Sequence, residues 1–67
     1  MTDNELAFRK KFGEQLSEEL EKRGMTKVAL ARRLGVAAPN VSQWCSGRRV
    51  PNLYRWWQIQ RVLKEAG

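Results

Sequence analysis

The apolar residues of this chain fall in short blocks at helical spacing, and each of the first three blocks is stopped by a glycine. Phe8, Phe12, Leu16 and Leu20 recur every four residues before Gly24; Leu30, Ala31 and Leu34 precede Gly35; Val41, Trp44 and Cys45 stand at i, i+3 and i+4 before Gly47. Spacings of three and four place residues on one face of an α-helix, and glycine is the residue that most readily closes one. The pattern predicts a long first helix with Thr2 or Asp3 as its N-cap, then a second of about two turns capped by Thr26. A third short helix follows, which Pro39 can begin because a first turn has no use for its missing N–H. Whether Ala37 or Ala38 caps that helix stays open, and the difference changes which side chains face outward. After the basic loop Arg48-Arg49-Val50-Pro51-Asn52, the residues Leu53, Trp56, Ile59 and Leu63, with Val62 or Gln60, define the inner side of a last helix.

A chain of 67 residues has room for one core, so residues 1–67 are expected to form a single domain whose function lies on its surface. Charge is distributed unevenly. Six of the seven acids lie between Asp3 and Glu21, whereas Lys22 to Lys64 holds ten basic residues and no acid, so most of the chain presents a one-sign field to any polyanion. On the first helix, Glu14, Glu18, Glu19 and Glu21 read as a solvated face. The pairs Glu18/Lys22 and Glu19/Arg23 have the favourable i,i+4 order.

Several function classes are poorly served by this composition. Cys45 is the single cysteine and histidine is absent, which removes an internal disulfide and the usual zinc and haem ligand sets. No metal, cofactor or small-molecule ligand is expected. There is no glycine-rich phosphate loop, and no histidine to activate a nucleophile, so the chain is not expected to be an enzyme. The apolar runs are only a few residues long and Met1 is followed by Thr2-Asp3-Asn4-Glu5, so neither a membrane span nor a leader is expected and a cytoplasmic location is.

Two short helices joined by a tight turn at Gly35, with a longer helix to cover them, form the layout of a DNA-binding helix-turn-helix over about residues 26–46. The run from Gly24 through Val36, followed by Val41-Ser42-Gln43-Trp44 and Gly47-Arg48-Arg49, resembles the Cro and lambda-repressor-like family, also called the XRE family. The resemblance extends from about Phe12 to Leu63, with Leu30, Ala31, Leu34, Gly35, Val41, Trp44, Gly47 and Pro51 in register. It implies an all-α, compact four- to five-helix lambda-repressor-like domain. It also implies that the helix from about Ala38 to Ser46 enters the major groove, while the start of the helix near Lys27 abuts the sugar-phosphate backbone. Two departures stand out. Family members often carry polar residues at the positions of Ala38 and Pro39, and many have an Arg–Glu ion pair at those of Leu20 and Cys45. Replacing both partners of a buried pair by apolar groups strands no charge, so Cys45 reads as a small core residue.

The residues themselves point to the same surface. With Val41, Trp44 and Cys45 turned inward, Pro39, Ser42, Gln43 and Ser46 point outward, with Ala38 and Asn40 on the flanks. Gln43 is the foremost candidate for base reading because its amide can donate to and accept from adenine in the major groove; Asn40 is second, and Pro39 and Ala38 offer apolar contact. Phosphate contacts are expected from Lys27, Arg32, Ser42, Ser46, Arg48, Arg49 and Arg55. Trp56 and Trp57 differ by about 100° around a helix, so both cannot enter one small core. Trp56 is placed inside, leaving Trp57, with Val50, Tyr54 and Arg61, as the expected contact of a homodimer. The family resemblance also implies such a dimer, reading a palindromic site on double-stranded DNA. The expected function is that of a sequence-specific transcriptional regulator, repressor or Cro-like. The alternative is a protein-interaction module on the same scaffold, such as an antitoxin that neutralises a partner protein.

Overall fold

The computed structural model describes residues 3–66. Four helices follow one another: α1 (Asp3–Lys22), α2 (Lys27–Leu34), α3 (Ala38–Ser46) and α4 (Leu53–Ala66). Asp3 is already the first helical residue of α1 and, with Glu5, puts negative charge where the helix dipole favours it. The other candidate cap, Thr2, lies outside the described residues. Thr26 caps α2 as its position predicts, its hydroxyl oxygen accepting from the Ala29 amide at 3.0 Å. Asn52 does the same for α4, its side-chain carbonyl accepting from the Arg55 amide at 2.8 Å.

The first three helices end alike. In α2 the Val36 amide reaches back to the Ala31 carbonyl at 3.0 Å while the Gly35 amide donates to Arg32, and in α3 the Arg48 and Gly47 amides repeat the pattern onto Gln43 and Trp44. This paired closure requires a left-handed residue, and Gly35 at φ 72° and Gly47 at φ 82° supply it. A Cβ at either position would be strained.

The core collects Leu16 and Leu20 from α1, Leu30, Ala31 and Leu34 from α2, Val41 and Trp44 from α3, and Ile59, Val62 and Leu63 from α4. Burying each of the larger side chains contributes about 1.5–3 kcal/mol. Leu20 and Cys45 are both apolar occupants of the expected region, Leu20 fully within the core and Cys45 half-buried against it. Of the two alternatives on α4, Val62 turns inward and Gln60 outward.

Three inward assignments are corrected. Phe8 is 59% exposed, Leu53 84% and Trp56 37%. All three lie in the N-terminal halves of α1 and α4, whereas the core takes its α1 and α4 residues from Leu16, Leu20, Ile59, Val62 and Leu63, so each holds its periodic position outside the core. Phe8, Phe12 and Trp56 instead form an aromatic row on the surface, with centroids 6.3 Å apart for Phe8–Phe12 and 5.0 Å for Phe12–Trp56.

Polar ties hold the helix ends. Arg23 donates to the Leu63 carbonyl at 2.7 Å and to Glu19, joining the end of α1 to the last turns of α4. The hydrogen bond from Arg23 holds the half-buried Glu19 carboxyl below the usual carboxylate range. Lys22 approaches Glu19 at 3.8 Å rather than the expected Glu18. No helix among the described residues is long and apolar enough to cross a membrane, and no cluster of metal-ligating side chains is present among them.

Candidate nucleic-acid interface

The outward face of α3 is set by its inward one. Val41 is fully buried and Trp44 nearly so, which turns Pro39, Asn40, Ser42 and Ser46 to the surface. Gln43 is half-buried at the margin of this stripe, and Ala38 packs partly against the core. The helix begins at Ala38, so Ala37 is its N-cap, and no side chain bonds the amides of the first turn. Pro39 falls in that turn, where the lack of an N–H leaves no donor unsatisfied. The other end of α3 is drawn tight, since the Gln43 carbonyl accepts from the Arg48 amide at 3.1 Å and the Arg49 amide at 3.3 Å. The Ser46 hydroxyl donates to that same carbonyl at 3.1 Å. Ser46 must release this bond before it can donate to anything else.

What places α3 is a close approach that sequence reasoning missed. A Cβ built on Gly13 would lie 2.4 Å from the Cys45 carbonyl oxygen and 2.8 Å from that of Trp44, so α1 crosses α3 backbone to backbone. A glycine inside an otherwise regular helical pattern was the available signal. One turn earlier, Arg9 donates to the Arg48 carbonyl at 3.3 Å and to Glu5 at 2.8 Å, fixing the loop after α3 against α1.

The basic residues separate into two groups by what their side chains do. Arg9, Arg23 and Arg55 each donate to a backbone carbonyl of another segment, and Arg33 and Arg61 both approach Glu65, at 3.2 and 3.8 Å. Arg55 was expected at the phosphates, yet its guanidinium is half-buried, bonded to the Leu34 carbonyl at 3.1 Å and to Gln58 at 2.7 Å. It closes the C-terminal end of α2. Lys27, Arg32, Arg48 and Arg49 are exposed and form no ion pair among the described residues. Lys27 opens α2 and Arg32 lies in its last turn, while Arg48 and Arg49 follow α3.

The four residues expected at a dimer contact do not form one group. Tyr54 and Trp57 stack at 6.3 Å and the Arg61 guanidinium lies 5.1 Å from the Trp57 centroid, making one exposed stripe along α4. Val50 instead lines a separate shallow groove of about 420 Å³ with Phe8, Phe12, Pro51, Leu53 and Trp56. With this geometry in place, comparison with known proteins is informative: a family model described as helix-turn-helix matches residues 16–65. No curated protein matches the chain.

Proposed function

The chain belongs to the helix-turn-helix family of Cro/C1 type, the XRE family of DNA-binding transcriptional regulators, and from that premise we propose that it is a sequence-specific repressor or Cro-like regulator that reads an operator through α3. The observation that carries this reading is the outward stripe of α3. It is small, uncharged and free of bulky side chains, and unpaired cations stand at both ends of the helix-turn-helix. A helix with Pro39, Asn40 and Ser42 on its surface can lie deep in the major groove, about 12 Å wide. Gln43 reads a base there by paired hydrogen bonds, Asn40 contributes a second polar contact, and Pro39 and Ala38 contact base edges through apolar atoms.

Lys27, Arg32, Arg48 and Arg49 bind the flanking phosphates, joined by Ser42 and Ser46. Each phosphate neutralised steepens the fall of log K with log salt by about 0.9. Arg55 acts first through α2, and any phosphate contact is made by the N–H groups its two internal bonds leave over. We propose further that two copies bind a palindromic site, with the Tyr54–Trp57–Arg61 stripe at their contact and half-sites about 10 base pairs apart.

Selection of bound molecules from random duplex DNA, with the wild type and Gln43→Ala side by side, tests the proposal. The wild type is expected to yield a palindromic consensus, and Gln43→Ala to lose about 1–3 kcal/mol of discrimination at one position in each half-site while the remainder of the consensus persists. Recovery of no consensus by the wild type would overturn sequence-specific regulation.

A further inference from the structure

The helix-turn-helix does not hold all the unpaired cations on its side of the molecule. A Cβ built on Gly47 would lie 3.2 Å from the Arg9 carbonyl oxygen and 3.3 Å from the Lys10 α-carbon, so the backbone of α1 rests directly on the turn that ends α3. Lys10 therefore stands beside Gly47. Lys11, about 100° further round the helix, lines the groove formed with Val50 and Pro51, later in the same loop. Both lysines thus stand where α1 meets the loop that carries Arg48 and Arg49.

All four of these side chains are exposed, and none forms an ion pair among the described residues. Glu5 pairs with Arg9, and Glu14, one turn along from Lys10, makes no ion pair with it. Of the other acids of α1, Asp3 lies in the first turn, nearly two turns before Lys10, and Glu18, Glu19 and Glu21 lie further along. The helix is thus basic where it crosses the loop and acidic towards both ends. Four unpaired like charges in one place repel one another in the free protein, and a polyanion laid across them removes that repulsion.

We infer that α1 supplies a second phosphate-binding edge, in which Lys10 and Lys11 bind the DNA backbone next to the phosphates held by Arg48 and Arg49. The inference rests on the DNA-binding reading given above and extends its footprint beyond the helix-turn-helix. A lysine ammonium is a point charge on a flexible stem, without the planar fork that reads a guanine edge, so these contacts add affinity and register rather than sequence preference.

The test is binding of a mixed-sequence duplex, measured by fluorescence anisotropy from 50 to 200 mM salt. The wild type is compared with the double variant Lys10→Gln, Lys11→Gln and with a control that removes the same charge at the far ends of α1 and α4, Lys22→Gln with Lys64→Gln. The first double variant is expected to lower the salt slope by about 1.8, so that the ratio of Kd at 200 mM to Kd at 50 mM shrinks roughly tenfold, while the control keeps the wild-type slope. Helical content by circular dichroism should match in all three. A retained slope in the lysine variant, or an equal loss in the control, overturns the α1 edge and leaves the DNA reading standing. A wild type with no salt-dependent binding to duplex DNA overturns both.

Discussion

The helices α3 and α4 both carry their apolar residues at helical spacing, yet the spacing predicts the inner face of α3 at Val41 and Trp44, with Cys45 half-buried beside them, and that of α4 only in its second half. In α3, Val41 and Trp44 are buried and Pro39, Asn40, Ser42 and Ser46 are exposed, as their phase requires. In α4 the same rule holds for Ile59, Val62 and Leu63 and fails at Leu53 and Trp56. The difference is what lies opposite. Helix α3 is packed against both α1 and α2, whereas the first turn of α4 gives no residue to the core and is held by the Asn52 cap, the Arg55 bond to Leu34 and the contact of Trp56 with Phe12. Periodicity identifies a face; burial requires a partner for it.

The strongest way to break this comparison is Trp44→Ala. Trp44 is the largest side chain that α3 commits to the core, and its truncation should cost about 3–5 kcal/mol, a large share of the stability of so small a domain. Thermal denaturation followed by circular dichroism should show the transition lowered by more than 10 °C, on the scale of roughly 4–8 °C per kcal/mol. A fall of only a few degrees would mean that α3 is no better enclosed than the start of α4.

Gly13→Ala probes the enclosure without touching an apolar contact. The added methyl would overlap the carbonyl oxygens of Trp44 and Cys45, and because both are backbone atoms the two helices must separate. A cost of about 1–3 kcal/mol is expected by the same measurement, even though alanine is the better helix former by about 1 kcal/mol. A stabilised Gly13→Ala variant would show that the crossing has slack.

The legible parts of this molecule were those decided locally. Thr26 as a cap and Gly35 and Gly47 as left-handed closures follow from interactions within a few residues. What the chain did not disclose was decided across long separations. Gly13 marks an oddity in a helical pattern whose purpose shows only when α3 is laid against it, and although Arg23 had a readable partner in Glu19, nothing in sequence tells that Arg9, Arg23 and Arg55 will each reach a distant carbonyl while Arg48 and Arg49 do not. Only the fold shows that the first three are each bonded to a distant carbonyl. Net charge counts every arginine alike, but an arginine whose guanidinium closes a helix end or ties a loop down is less available to a phosphate. The candidate interface sharpened for that reason: its outline on α3 was readable, and the selection among its cations was not.

The smallest expected effect discriminates best between periodicity and enclosure, because it sets two residues of one helix against each other. Leu53 and Ile59 are of similar volume and lie in the same apolar pattern, but Leu53 is 84% exposed and Ile59 fully buried. Leu53→Ala should change stability by no more than about 0.5 kcal/mol, as for a surface position. Ile59→Ala should cost about 2–5 kcal/mol through lost transfer energy and the cavity left behind. Denaturant titrations of the two variants with a common m-value give both numbers on one scale. A Leu53→Ala cost near that of Ile59→Ala would place the first turn of α4 on the core and restore the simple reading of its pattern. A near-neutral result keeps Leu53 as apolar surface that the folded monomer does not use for its own stability.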